Sequence, residues 1–312
     1  MKAIQIKQYG GEEQLELVDV ARPEPGPKQV LVRIAATTFN PVDRKRTSGD
    51  MKAVFPISFP HIPGGDFSGV VEAAGAEVEG IGVGDPVIGY SMAGGSYAEY
   101  IAVDADKVAR KPKSVGHVEA AALSMVSLTA LQMLERASLQ PGQTVLIHGA
   151  GGAVGGVAVQ VAHPRGIKVI ATASTASFNR VTAYGADQAI DYKTTPFEEV
   201  VKNVDAVLDT VGGPVQQRSY RVLKAGGRLV SATQPPSPEE AAKYGVSASM
   251  VFTEVSSAGL ETVARMIDAG EIKPCVGRVY PLSEVAQAWR DIRTTHIEGK
   301  VVFLVGDARD DR

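Results

Sequence analysis

The residues whose spacing could do chemistry are the glycines of Thr144-Val-Leu-Ile-His-Gly-Ala-Gly-Gly-Ala-Val-Gly-Gly156. Gly149, Gly152 and Gly155 recur at every third position, between a short β-branched run and an apolar, helix-patterned segment over 157–162. Strand, tight turn, helix is the order that aims backbone N–H groups at a pyrophosphate. Ala150-x-Gly152-x-x-Gly155 reads as a dinucleotide fingerprint with alanine at the first glycine. Ala153 and Val154 then open the helix whose N-terminus would hold the phosphates. Without a Cβ, Gly152 lets the backbone approach them and Gly155 lets the helix pack close to its strand. A glycine-rich surface turn looks the same in isolation, so the flanks must decide.

Those flanks complete a βαβ unit. Pro164 and Gly166 stop the helix, and 168–173 reads as the second strand. An NAD site needs Asp or Glu near the end of that strand, about 20 residues past the glycines, to bind the ribose 2′-hydroxyl. Here the residues are Ala171-Thr-Ala-Ser-Thr175, with no acid between Lys168 and Ala186. Ser174, Ser177 and Arg180 offer hydroxyls and a guanidinium to a 2′-phosphate, which a carboxylate would repel. The residues favour NADPH; a solvated helix position is the other reading of Arg180.

Elements that must position this turn follow in alternation. Thr195-Pro-Phe-Glu198 reads as a capping box with proline first in the helix. A buried-type strand spans 205–211, a helix 214–224 closes at Gly226-Gly227, and a strand follows over 228–232. Such alternation predicts a doubly wound parallel sheet covered on both faces. Before it, strand-like runs at 29–35, 66–74, 86–90 and 97–103 between Gly/Pro-rich turns predict a mostly β domain. A long helix over 119–137 bridges the two, serine-opened helices are expected over 257–269 and 283–294, and a closing strand over 299–305 should join the β domain's sheet. The expected division is 1–118, 119–256 and 257–312, the last returning to the first domain.

The 312 residues suffice for two cored domains. A net charge of −3 carries no polybasic signature for nucleic acid or an anionic membrane, and no apolar run reads as long enough to span a bilayer. The N-terminus alternates like a strand rather than a secretory signal. A single cysteine, Cys275, excludes an intramolecular disulfide and fits a cytoplasmic location. The tail 307–312 reads as disordered.

Further motifs stand in a fixed order: Asn40-Pro-Val-Asp43, Pro60-His-Ile-Pro-Gly-Gly-Asp-Phe-Ser-Gly69, Gly82-Val-Gly-Asp-Pro-Val-Ile-Gly89, Gly95-Ser-Tyr-Ala-Glu-Tyr100, Leu128-Thr-Ala130, the glycine turn, Gly185-Ala-Asp187 with Asp191-Tyr192, and Gly299-Lys300. By these, the whole chain resembles the medium-chain dehydrogenase/reductase superfamily, on its zinc-free quinone oxidoreductase branch. The resemblance implies an α/β architecture with a Rossmann domain inserted in a GroES-like catalytic domain. It also implies a nicotinamide in an interdomain cleft and a homodimer.

Zinc-dependent relatives carry cysteine where Asn40 stands, histidine where Gly65 stands and a third ligand near Met125, and none of these replacements offers a thiolate or imidazole. His61, His117, His148, His163 and His296 show no ligand spacing, so no metal is expected. Alcohol oxidation needs something to stabilise an alkoxide, whereas hydride transfer to a quinone or enone meets an acceptor already electrophilic. The resemblance makes Asn40 the cleft amide, Asp43 the residue orienting its loop and Thr129 a hydroxyl beside the nicotinamide. It adds Tyr192 at the 2′-phosphate, Val211, Phe252 of the loop over the nicotinamide, and Lys300. Their plainer readings are a turn residue, a local salt bridge, a helix hydroxyl, a strand-core pair at Val251-Phe252 and a snorkelling strand-end lysine. Relatives often place an aromatic at Gly65, so a roomier pocket is expected there; Tyr97 and Tyr100 are expected to be structural. The expectation is an NADPH-dependent quinone reductase, with an alkenal/enone or 2-enoyl thioester reductase next; Arg44, Lys45 and Arg46 would serve a thioester's anionic tail. An NADPH-binding structural or regulatory protein is the third.

Overall fold

The computed structural model describes residues 1–295 and 297–306; His296 and the tail 307–312 lie outside the described residues. The chain forms two compact units. One holds Met1–Met125, Val255–Gly270 and the chain from Pro274 onward; the other holds Val126–Glu254 and Glu271–Lys273.

The first unit begins with strands β1 (Lys2–Gln5), β2 (Glu16–Asp19) and β3 (Gln29–Thr38), helix α1 (Pro41–Ser48), and strands β4 (Asp66–Ala74), β5 (Pro86–Tyr90), β6 (Tyr100–Asp104) and β7 (Val108–Arg110). Helix α2 (His117–Ala137) runs on into the second unit. That unit contains β8 (Thr144–Ile147), α3 (Ala153–Ala162), β9 (Lys168–Ala173), α4 (Phe178–Ala183), β10 (Gln188–Asp191), α5 (Phe197–Val200), β11 (Val204–Asp209), α6 (Gly213–Ser219), β12 (Leu223–Ser231), α7 (Pro238–Lys243) and β13 (Ser247–Met250). The chain returns to the first unit with α8 (Ser257–Asp268), β14 (Val276–Pro281), α9 (Val285–Thr294) and β15 (Lys300–Leu304).

In the first unit the sheet order is β14-β15-β3-β4-β5-β7, with β6 also on β3, and only the β14–β15 pair is parallel. The closing strand joins this sheet as the sequence predicts, Val302 opposite Thr38. Val30, Val32 and Ile34 alternate into a core that also contains Phe67, Tyr97, Trp289 and Phe303. Tyr97 meets Phe303 edge-on at 5.2 Å between ring centroids, a favoured geometry for aromatic quadrupoles.

The second unit's six-stranded sheet has the order β10-β9-β8-β11-β12-β13 and is parallel throughout. Every residue of β11 is buried, as a central strand covered on both faces requires. The order reverses between β8 and β11, so the turns leaving these two strands flank the crevice where open α/β sheets hold ligands.

Local departures from the sequence reading have physical causes. The capping box at Thr195 does not form: Pro196 is extended (ψ 113°), so α5 starts one residue later, and Glu198 is drawn to Arg218 at 2.9 Å. The Thr195 N–H donates instead to Asp191 O. Helix α6 ends at Ser219, and β12 runs through Gly226-Gly227 because Gly226 takes a left-handed φ of 75° inside an irregular strand. The 283–294 helix opens as a 3₁₀ turn from Leu282, leaving Glu284 before α9. Tyr97 lies outside the strand β6. By length and composition α2 is apolar enough to cross a membrane, contrary to the sequence reading, but 72% of its apolar window is buried in the protein's own interior. Its charges sit near the ends, at Glu119, Glu135 and Arg136.

Candidate active site

The first unit gathers a buried polar cluster where β3 passes into α1. Asp66, the first residue of β4 and fully buried, is its hub. One carboxylate oxygen accepts from the Asn40 side-chain amide at 2.7 Å, from the Thr38 hydroxyl at 2.8 Å and from Lys300 Nζ at 3.3 Å. The other accepts from the Met125 backbone N–H at 3.0 Å. Lys300 also donates to Asn40 Oδ1 at 2.7 Å and to the Phe39 carbonyl at 2.9 Å. Sheet register explains the convergence: β15 lies beside β3, and Phe39 N–H donates to Val301 O at 3.0 Å. Lys300 is therefore a buried ion-pair partner and not a snorkelling strand end.

Asp43 occupies the first turn of α1, where its carboxylate accepts the Asn40 backbone N–H at 2.8 Å. Burial pushes its pKa up to about 7; the Asn40 N–H opposes that, the Asp66 charge adds to it, and Lys300 and Arg46 oppose it. Among the described residues no salt bridge holds Asp43, so the local ion-pair reading fails there; its further neighbour is the Tyr97 hydroxyl, which donates to it at 3.4 Å. Tyr97 is fully buried and structural. At Gly65 the expected roominess is absent, because a Cβ there would lie 2.4 Å from the Tyr90 ring.

In the second unit, the glycine turn leaves β8 as the fingerprint requires. Gly149 has φ 68°, and a Cβ on it would lie 2.5 Å from Thr210 Oγ1 and 3.2 Å from Val211. A Cβ on Gly155 would lie 2.4 Å from the Gly149 carbonyl oxygen, so close packing of helix on turn depends on glycine. At Gly152 a Cβ would meet only that carbonyl, at 3.2 Å, which leaves the helix entrance clear. The first-turn N–H groups of Ala153, Val154 and Gly155 have no carbonyl one helical turn back within α3. This is a cradle that fits a pyrophosphate.

Other cofactor candidates lie at the carboxyl ends of the same strands. Ser174 follows β9, and its hydroxyl is 3.2 Å from that of Ser177. Arg180 is not a solvated helix residue: it donates to Gly151 O at 2.9 Å and to Ser177 Oγ at 3.4 Å, tying α4 to the turn. Tyr192 follows β10, is 56% exposed, and donates its N–H to Ala173 O. Val211 follows β11 and Phe252 follows β13; Phe252 is 63% exposed, so it is no strand-core residue. Thr129 on α2 meets Thr253 hydroxyl to hydroxyl at 2.8 Å, linking that helix to the Phe252 loop.

Sequence reasoning missed several members. Asp66 was readable only as a motif letter, although an acid opening a strongly apolar strand signals a buried, partnered charge. Asp209 is fully buried and accepts from Val211 N, Gly212 N, Gln216 and Ser231, fixing the turn after β11. Asp191 pairs with Ala173 across β10 and β9, and it binds the Thr175 hydroxyl. A carboxylate thus reaches the end of β9 from the neighbouring strand, which a search along β9 could not find.

Comparison with known proteins agrees with this geometry. Residues 26–113 match the alcohol dehydrogenase GroES-like domain family, and residues 184–303 match the zinc-binding dehydrogenase family. A 2-methylene-furan-3-one reductase of Solanum lycopersicum is 36% identical over 97% of this chain and 79% of its own length. A quinone oxidoreductase of Sus scrofa is 32% identical over 98% of each chain. This chain belongs to the quinone oxidoreductase branch of the medium-chain dehydrogenase/reductase superfamily. Among solved members, the Coxiella burnetii quinone oxidoreductase superposes with a TM-score of 0.91, at 33% identity over 98% of this chain and 99% of that one. The Escherichia coli quinone oxidoreductase, solved with NADPH, has a TM-score of 0.89 at 26% identity over 97% of this chain and all of that one. As in the rest of the branch, the chain is a nicotinamide-dependent oxidoreductase with GroES-like and Rossmann folds.

Proposed function

We propose that this oxidoreductase reduces quinones with NADPH and works without zinc. The observation that carries the reading is the Asn40–Asp66–Lys300 cluster. The positions matching the zinc ligands of relatives converge there, since Asn40 and Met125 both bind Asp66, next to Gly65. At the three matching positions stand an amide, a glycine and a methionine, and the one carboxylate among them, Asp66, is already engaged by Asn40, Thr38, the Met125 N–H and the Lys300 ammonium. That donor set suits no zinc ion. When bound, the reduced nicotinamide supplies a hydride. The chain's part is to hold the pyrophosphate on the α3 N-terminus, to orient the Asn40 amide through Lys300 and Asp66, and to keep the cluster dry.

The NADPH preference rests on Ser174, Ser177 and Arg180 beside the glycine turn, with the Asp191 charge acting against it. A second reading is favoured by the 2-methylene-furan-3-one reductase at 36% identity and by an NADPH-dependent alkenal/one oxidoreductase of Arabidopsis thaliana at 34%. An enone carries the same electrophilic carbon and needs the same alignment. A cytoplasmic homodimer paired through the open β13 edge completes the proposal.

The test is NADPH oxidation by chelator-treated protein with 1,4-benzoquinone, 9,10-phenanthrenequinone and an enone series, and NADP⁺ reduction with primary alcohols. Turnover of quinones or enones that survives chelation, with none of alcohols, is expected. NADPH binding without turnover of any acceptor would leave the structural or regulatory reading.

A further inference from the structure

Tyr90 stands opposite Asp66 in the β4–β5 pairing, so the two side chains project from one face of the sheet. The Tyr90 ring leans across Gly65: the space a Cβ would take there lies 2.4 Å from Cε2, 2.6 Å from Cζ and 3.0 Å from the hydroxyl oxygen. Gly65 has no left-handed φ, so the ring, not backbone strain, excludes a side chain. Tyr90 is only 3% exposed and its hydroxyl makes no hydrogen bond among the described residues, yet that oxygen is not among the fully buried polar atoms without a partner, so the little exposure the residue has includes its hydroxyl tip. A hydroxyl with that access and no protein partner has its donor and acceptor capacity available to a ligand or water. Burial and the nearby Asp43 and Asp66 charges push its pKa well up, so the hydroxyl keeps its proton.

Resting on the reductase reading above, we propose that Tyr90 supplies the acceptor-facing side chain that Gly65 lacks, its ring forming a wall and its hydroxyl donating a hydrogen bond to the acceptor's oxygen. The acceptor gains two electrons and one proton as hydride, which leaves negative charge on that oxygen. The phenol donates to this oxyanion without giving up its proton, and a proton from water completes the reduction. Position 65 and position 90 therefore form an exchangeable pair: one side chain fills the space, from either strand.

The test uses the full chain with NADP⁺ and hydroquinone as probe, alongside NADPH turnover of 1,4-benzoquinone. Tyr90→Phe is expected to weaken hydroquinone binding and lower kcat/KM about tenfold or more while leaving the NADP⁺ Kd unchanged, the range for a hydrogen bond to a developing charge. Gly65→Tyr alone is expected to lower Tm by overfilling the space, and Tyr90→Ala with Gly65→Tyr to restore both Tm and hydroquinone binding. Equal hydroquinone Kd values for wild type, Tyr90→Phe and Tyr90→Ala would overturn the proposal. Turnover of no acceptor with Tyr90-dependent hydroquinone binding would instead overturn the quinone reductase reading and leave the Tyr90 site standing.

Discussion

Lys300 Nζ lies 2.7 Å from Asn40 Oδ1 and 3.3 Å from Asp66 Oδ2, with the lysine side chain 7% exposed and the aspartate side chain not at all. Removing one partner of such a pair leaves the other charge buried and unpaired, at a cost of about 3 kcal/mol or more. Lys300→Met is expected to lower the urea midpoint accordingly. Adding Asp66→Asn should recover much of the loss, because the stranded charge disappears. A double-mutant cycle with no coupling would show that the ammonium and carboxylate do not depend on each other.

Gly155→Ala is the corresponding test of the second unit. Its methyl would meet the Gly149 carbonyl at 2.4 Å and Ala150 Cα at 2.8 Å, both backbone atoms that cannot swing aside. Overpacking of this kind costs about 1–3 kcal/mol, and relief requires moving α3 off its turn. NADPH affinity should fall about tenfold or more in a fluorescence titration, with a lowered Tm. Gly82→Ala meets nothing within 4 Å and has no left-handed φ, so it serves as a steric control. Equal NADPH affinity for the wild type and Gly155→Ala would mean that the cradle is not where the pyrophosphate sits.

The parallel sheet and glycine turn were legible because their signals are local: β-branched runs and glycines at fixed offsets. Asp66 and Lys300 were legible only as motif letters, since 234 residues separate them and only the β3–β15 register brings them together. Asp191 escaped for a related reason, because its approach to the end of β9 is set by pairing between strands. The roominess expected at Gly65 failed because a missing side chain says nothing about which neighbour fills the space. The capping box at Thr195 matched in letters but lost to the stronger attraction of Glu198 for Arg218.

Cofactor choice should respond to charge in opposite directions at two positions. Ser174→Asp places a carboxylate beside Ser177 at the end of β9 and should raise the NADPH Kd about tenfold or more relative to that for NADH. Asp191→Asn removes a charge from the same strand end and should favour NADPH by about threefold, less than the first change because Asp191 is solvent-screened. Isothermal titration with both cofactors checks the pair. Unchanged Kd ratios in both variants would place the 2′-phosphate elsewhere.

His148 gives a pH dependence whose sign can be fixed. The Ser219 hydroxyl donates to Val215 O at 2.7 Å, so it accepts from His148 Nε2–H at 3.0 Å. Nδ1 is then left to accept from the Thr172 hydroxyl at 3.0 Å, and protonating it would reverse that bond and place a charge in a buried site. Burial pushes the His148 pKa down to about 4 from an ordinary 6.5; Asp209 opposes that and Arg218 adds to it. Because the folded pKa is depressed, the unfolded chain binds more protons between these values. The stabilising contribution is complete above pH 6.5 and is lost as pH falls, amounting to about 2 kcal/mol by pH 5. His148→Asn retains an acceptor toward Thr172 and cannot titrate. Urea unfolding at pH 7.5 and pH 5 should show the wild type losing about 2 kcal/mol more than this variant. A parallel loss in both would mean that His148 is already charged, or already solvated, in the folded protein.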